Sequence, residues 1–349
     1  MPRPVTMADV ALRSGVHKGT VSRALNPATR DQVNSSTLER IERAAASLGY
    51  VPNVMASGLR RSLSMTVGVI IPDLTNPIFP PIIRGIESEL SPRGYTALLA
   101  NTDATDSLER AAYRSLLERR VDGFIVGTGL TDHPLLAEAA AAGVRMVLVN
   151  RGTSERTPFP LVTGDDASGI RAAVDHLVAL GHTDLLHLAG PKDFTSALVR
   201  AAAFKEATRR RGLRGTTVTA SAFSIEAGRA AMDQALQTGT RRWTAVVASN
   251  DLEALGAIRS LRAHGLRCPD DVSVVGFNDM AFLEDFSPPL TSVHVPLLEM
   301  GAEAARLLIL GVETGSQTPV TVALPVSLIV RGSTAPPRDP RTLPALAYS

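Results

Sequence analysis

Residues 17–26, HKGTVSRALN, gather side chains suited to reading a polyanion. Lys18 and Arg23 supply charge, and Ser22 and Asn26 supply neutral hydrogen-bonding groups. On a helical wheel at about 100° per residue, Val21, Ala24 and Leu25 share one side. Gly19, Ser22, Arg23 and Asn26 fall opposite them, with Lys18 at the flank of the first turn. An arginine on such a face reaches guanine O6 and N7 or a phosphate, and serine and asparagine contact base edges or backbone. Gly19 adds no side chain but permits close approach. Further along the chain, polar and aromatic residues follow apolar runs: Asn76, Phe79, Asn150, Arg200, Phe223, Asn250 with Asp251, and Asn278 with Asp279. A guanidinium and several amides present planar forks of donors and acceptors, which suit a neutral, hydroxyl-rich ligand such as a sugar.

The first group needs a small helical scaffold. Thr6 is placed to cap a helix from about Met7 to Arg13, with Asp9 in its first turn and Met7, Val10 and Ala11 on one side. Ser14-Gly15-Val16 makes a turn, and a second helix spans about Lys18 to Leu25. Two short helices joined by a tight glycine turn predict a helix-turn-helix, whose second helix enters the major groove. A third helix, about Ser36 to Leu48, turns Leu38, Ile41, Ala45 and Leu48 inward and stops at Gly49. Charge agrees: residues 1–61 carry nine Lys/Arg against four acids, a balance of +5, whereas the rest of the chain balances at −3. A basic module on a slightly acidic body suits a polyanion partner.

The second group needs a larger body. From Thr66 onward, apolar strand runs such as Val67–Ile71, Gly123–Val126, Met146–Val149, Asp184–Leu188, Ala245–Ala248 and Val272–Gly276 alternate with amphipathic helices. That cycle predicts parallel sheets covered on both faces, and two successive sheets predict two lobes with a cleft between them. Ligands of such folds lie outside the carboxyl ends of the strands, where the polar and aromatic candidates fall. Arg200 is expected to open a helix after Ala189-Gly190-Pro191.

Other chemistries find little support. Gly127-Thr128-Gly129 lacks the remaining spacing of a dinucleotide fingerprint, and no G-x-S-x-G, P-loop or H-E-x-x-H occurs. No catalytic residue is assigned. Cys268 is the only cysteine, which excludes an internal disulfide and a Cys-based zinc site. The seven histidines are scattered, and His176 and His182 read as surface or capping residues. Neither metal nor cofactor is expected. No apolar run reaches the roughly 18–20 residues of a membrane span, and MPRPVTMADV lacks a secretory apolar core, so a cytoplasmic location is expected.

The stretches TMADVALRSGVHKGTVSRALN and LERIERAAASLGYVPNVMASGLR resemble the head of the LacI/GalR family of bacterial transcriptional regulators. The likeness continues through VGVIIPDLTNPIFPPIIRGIE, RVDGFIV, HLVALGH, LAGP, ASND and DVSVVGFND, in order and over nearly the whole chain. It implies an α/β protein with an all-α head: a helix-turn-helix domain at 1–50, a hinge at 51–65, and a two-lobed periplasmic-binding-protein-like body at 66–333. The implied lobes are about 66–163 with 292–318, and 164–290 with 319–333, followed by a loose tail at 334–349. The implied DNA contacts are Thr6, Lys18, Gly19, Thr20, Ser22, Arg23 and Asn26 in the head, and Asn53, Ala56, Leu59 and Arg60 in the hinge. Leu59 takes the place of the family's minor-groove wedge. In the body, Phe79 and Phe223 match the family's ligand walls, and Arg200, Asn250 and Asn278 its polar clamps, with Asn150 a lesser one; Asn76 joins them by its place after the first strand. The implied protein is a homodimer or tetramer on an inverted-repeat operator in double-stranded DNA, controlled by a small effector and acting as a repressor. A solute-binding protein and a sugar-modifying enzyme are the alternatives. Three positions depart from the family pattern: His17 replaces a capping serine, Gly19 replaces a larger side chain, and Asn278 stands where aspartate is common.

Overall fold

The structure, a computed structural model, describes residues 3, 5–26, 29–50, 63–153, 157–237 and 242–338. The chain forms two compact units divided between Ser64 and Met65. The expected hinge contacts Asn53, Ala56, Leu59 and Arg60 lie outside the described residues.

The first unit contains α1 (Met7–Ser14), α2 (Lys18–Ala24) and α3 (Ser35–Leu48). Its core is small: Val10, Val21 and Ile41 are fully enclosed, with Ala11, Ala24, Ala44 and Ala45 around them. So small a core leaves much of the stability to helix ends. Asp9 accepts hydrogen bonds from Thr6 N and Thr6 Oγ1, each 2.7 Å, and from Arg3 at 2.6 Å. The Thr6 contacts above all hold the Asp9 carboxyl below its usual range. Asn34 Oδ1 caps α3 by accepting from Ser36 N at 3.0 Å. Gly15, at φ 65°, closes α1 in the left-handed conformation that glycine adopts without strain.

The second unit contains two six-stranded sheets. The first is built from β1 (Thr66–Ile71), β2 (Thr96–Asn101), β3 (Gly123–Val126), β4 (Met146–Val149) and β5 (Leu161–Gly164). The second is built from β6 (Asp184–Ala189), β7 (Arg214–Thr219), β8 (Ala245–Ala248), β9 (Ser273–Asn278) and β10 (Thr291–His294). The last two strands, β11 (Thr321–Leu324) and β12 (Ser327–Ile329), complete one sheet each. Strand order is β11-β5-β4-β3-β1-β2 and β12-β10-β9-β8-β6-β7. All neighbours are parallel except β10 and β12. Every residue of β3, β4, β8 and β9 is buried, the condition that produces continuous apolar runs.

The connecting helices are α4 (Phe79–Leu90), α5 (Asp106–Glu118), α6 (Pro134–Ala141), α7 (Asp166–Ala179), α8 (Thr195–Arg210), α9 (Ile225–Gln237), α10 (Asp251–Ala263) and α11 (Leu297–Thr314). Helices α4 and α11 touch backbone to backbone. A methyl on Gly85 would stand 1.9 Å from Leu298 O, and one on Gly301 would stand 1.9 Å from Ile82 O. Among the described residues no helix is long and apolar enough to cross a membrane.

The lobe boundaries differ from the sequence expectation near the end of the chain. Thr321–Leu324 pairs in parallel with Leu161–Gly164, so it belongs to the first lobe rather than to the expected 319–333 segment of the second. Ser292–His294 pairs with β9 and so belongs to the second lobe. The tail also departs from expectation. Residues 334–338, read as loose, are tied down: Ala335 N donates to Ser273 Oγ, His182 Nε2 meets Ala335 O at 3.0 Å, and Arg338 reaches Asp271. His182 is therefore enclosed rather than on the surface, and burial lowers its pKa. Helix α8 begins at Thr195, which puts Arg200 in its second turn rather than at its start.

Candidate functional site

In the head, α2 turns Val21 and Ala24 into the core. Its opposite side carries Lys18, Arg23 and Asn26, all exposed, with Gly19, Thr20 and Ser22 half-buried between them. Thr6 is exposed at the start of α1. The expected head contacts thus share an accessible surface. His17 serves as N-cap of α2, its Nδ1 accepting from Gly19 N at 3.1 Å. A Cβ at position 19 would lie 3.1 Å from that same Nδ1. The two head departures are therefore coupled: the absence of a side chain at Gly19 leaves room for the imidazole that caps the helix.

In the body, six of the seven cleft candidates come together. Asn76 and Asn150, from the first lobe, and Arg200, Phe223, Asn250 and Asn278, from the second, line one cavity. They share it with Ile78, Arg151 and Ser196. Each lobe presents the carboxyl ends of its strands, as an α/β sheet does at a ligand site. Phe79 is not among the lining residues. It is the first residue of α4 and is fully buried in the first lobe's core, its ring beneath Gly127, while Ile78 faces the cleft.

Arg200 is held rigidly. Nη1 donates to Ser249 O at 2.6 Å, Nη2 donates to Asp166 Oδ1 at 3.0 Å, and the guanidinium lies 3.9 Å from the centre of the Phe277 ring. Asp166 is 6% exposed; burial raises its pKa and the Arg200 charge opposes that rise. Asn250 caps α10, its Oδ1 accepting from Glu253 N at 2.8 Å. Beneath it, Glu253 accepts from Ser249 N at 3.1 Å, and burial pushes its pKa up to about 8. Asp251 accepts from Ser292 Oγ at 2.5 Å and Met280 N at 2.9 Å, and burial pushes its pKa up to about 7. These bonds tie the start of α10 to the loop after Asn278. Asn150 and Asn278 adopt φ of 68° and 106°, a region asparagine tolerates better than most residues. Phe223 packs directly on main chain, since a methyl on Gly190 would approach its ring to 2.4 Å.

Sequence reasoning missed Arg151. Its guanidinium leaves the first lobe and lies 4.2 Å from the Phe194 ring centre and 4.9 Å from that of Phe223, both on the second lobe. The signal was available, because Arg151 directly follows Asn150 at the carboxyl end of β4. Further contacts join the lobes: Leu130 bridges Phe194 and Thr131 N donates to Asp193 O at 2.8 Å through main chain, and Gly152 N donates to the Thr195 hydroxyl Oγ1 at 3.2 Å. The lobes are nearly shut. The cavity between them has a volume of about 10 Å³, against about 300–1,000 Å³ for typical ligand pockets. Admission of a sugar therefore requires the lobes to part or Arg151 to move.

Residues 6–53 match the description "Bacterial regulatory proteins, lacI family", and residues 174–334 match a periplasmic binding protein-like domain. The chain is 32% identical over 329 residues to the ribose operon repressor of Halalkalibacterium halodurans, covering 94% of this chain and 97% of that one. It is 33% identical over 335 residues to the transcriptional repressor CytR of Escherichia coli K12, covering 94% and 96%. Among solved structures, the lac repressor dimer bound to operator and the anti-inducer ONPF superposes with a TM-score of 0.84 at 31% identity, covering 95% of this chain and 100% of that one. The complex of the transcriptional regulator CelR with cellobiose has a TM-score of 0.71 at 33% identity, with 95% and 100% covered. A LacI family regulator from Enterococcus faecium with bound ribose has a TM-score of 0.69 at 29% identity, with 78% and 100% covered.

Proposed function

Because this chain belongs to the lacI family of bacterial regulatory proteins, we propose that its head grips an inverted-repeat operator as half of a homodimer while its cleft senses a sugar or sugar derivative. The chain is a DNA-binding transcriptional regulator and not an enzyme. The observation that carries the effector reading is the convergence of four amides and two arginines from both lobes on one cavity. Lys18 and Arg23 reach phosphates or guanine edges, so affinity falls steeply with salt. Thr6, Gly19, Thr20, Ser22 and Asn26 complete the head's contact surface, and Asn53, Ala56, Leu59 and Arg60 contact the operator centre.

An effector bridging Asn76 and Asn150 on one lobe to Arg200, Asn250 and Asn278 on the other favours one lobe arrangement over the other. Operator affinity changes only by the effector's differential affinity for the two. The protein acts in the cytoplasm as a repressor that its effector releases from DNA. Relatives named for ribose, and solved with ribose or cellobiose, direct the choice of sugars.

A gel-shift titration on the DNA upstream of the protein's own gene tests this reading, with and without a sugar panel. The expected result is binding to a palindromic site at least about a thousandfold tighter than to bulk DNA. At least one sugar should weaken that binding, and Asn250→Ala should abolish the weakening. Binding without site preference, or release unaffected by Asn250→Ala, would overturn it.

A further inference from the structure

The charges of the cleft do not cancel. Arg200 is matched by Asp166, but Arg151 has no matching carboxylate among the described residues. Arg151 is 5% exposed, its Nε makes no hydrogen bond, and among the described residues no carboxylate forms an ion pair with it. The remaining acids nearby are engaged elsewhere. Asp279 is held by Arg331 at 2.7 Å and His294 at 3.1 Å, and Asp251 and Glu253 lie beneath the clamp, turned to their own partners. The amides Asn76, Asn150, Asn250 and Asn278 are neutral. One buried positive charge is thus left with two aromatic faces as company, and a ring quadrupole compensates a cation less well than an anion does. Arg151 registers the imbalance: burial foremost, then repulsion from Arg200, lowers its pKa to about 9, and the Asp166 charge opposes this.

We propose that the natural effector carries an anionic group, a phosphate or a carboxylate on a hydroxylated ligand, and that Arg151 binds this group with Arg200 beside it. The inference rests on reading the cleft as the effector site and adds the charge class of the ligand. Guanidinium forks match the oxygen pairs of phosphate and carboxylate, and such charge-assisted bonds are about twice as strong as neutral ones. The amides remain for the hydroxyls. Arg151 belongs to the first lobe and Arg200 to the second, so an anion shared between them also holds the lobes together.

The test uses the full-length protein, calorimetry and thermal unfolding at constant ionic strength. The probes are ribose against ribose 5-phosphate, glucose against glucuronate, and inorganic phosphate alone. In the wild type the anionic member of a pair should bind at least tenfold more tightly than its neutral parent. Arg151→Gln should bring that ratio near one, and Arg151→Lys should keep part of it. Phosphate alone should raise the body's unfolding temperature in the wild type more than in Arg151→Gln, which decides the matter even where neither sugar pair binds. Arg151→Met replaces the glutamine variant if that one does not fold, since it removes the charge without burying an amide. A stronger response to ribose 5-phosphate than to glucuronate identifies phosphate as the group, and the reverse identifies carboxylate. Neutral sugars binding as tightly as their anionic partners, or equal phosphate shifts in all variants, would overturn the proposal. A neutral sugar that alone releases the operator would sink the anion and spare the effector reading. An anion bound through Arg151 without effect on operator affinity would do the opposite.

Discussion

The head and the cleft hold their working groups at opposite extremes of exposure. Lys18, Arg23 and Asn26 stand in water on one side of a helix whose other side is packed. Arg151, Arg200, Asn250 and Asn278 are each less than a tenth exposed. Water stabilises the head's charges until DNA replaces it, so Lys18, Arg23 and Asn26 contribute little to its folding. In the cleft, each charge must be neutralised by protein or ligand, so function and stability share the same residues. Substitutions should therefore separate activity from folding in the head and confound them in the cleft.

The largest expected effect breaks the Arg200–Asp166 pair. Asp166→Ala leaves Arg200 buried without its partner and should destabilise the body by about 3–5 kcal/mol in urea unfolding. The operator affinity of the folded fraction should change far less. Retained body stability would contradict the contrast between the two regions.

Next comes pH. Glu253 has a folded pKa of about 8, above its unfolded value of about 4.3, so folding favours the protonated acid. Its stabilising contribution is complete below the unfolded value and lost as pH rises through about 8. Between pH 6.5 and 8.5 the wild-type body should lose on the order of 2 kcal/mol that Glu253→Gln retains. His187, buried and lowered to about 4, acts only on the acid side of this window, whereas Asp251, at about 7, titrates within it in both proteins, so the difference between them reports Glu253. Parallel pH profiles for the two proteins would show that Glu253 does not titrate there.

In the head, Arg23→Ala should reduce specific operator affinity by about 1–3 kcal/mol and relax base preference at one position, with thermal stability unchanged. A loss of equal size on all sequences would assign Arg23 to phosphate instead. The smallest effect sharpens the same comparison: His17→Ala should cost the head about 1 kcal/mol as a lost cap. In a His17→Ser background Gly19→Ala should then be stabilising, because the imbalance of helix propensity remains and the 3.1 Å contact with the imidazole is gone.

The head was legible residue by residue. Gly15 and Gly49 ended helices where glycine alone adopts positive φ easily, and Val10, Val21 and Ile41 fell at helical spacing. The buried strands were legible as apolar runs, β3, β4 and β8 to the residue. Helix starts were less so. Thr195 and Ser196 interrupt the apolar pattern, so α8 reads as starting six residues late and Arg200 as its first turn. Phe79 reads as a cleft wall because it matches a position that the family uses as one. Helix α4 starts at Phe79, with Pro80 and Pro81 in its first turn, and Phe79 is buried in the core.

Sequence alone determined the helix-turn-helix face, the alternation of strands and helices, and the strand ends at which the cleft's amides stand. Those features follow from spacing over a few residues, and local backbone preference and periodic burial suffice to set them. Only the tertiary structure decided that β11 joins the first sheet, that residues 334–338 are fastened down, and that Arg151 lies against two rings with no ion-paired carboxylate among the described residues. Charge balance in a cleft depends on which groups distant in sequence arrive within a few ångströms, and no local pattern encodes that sum.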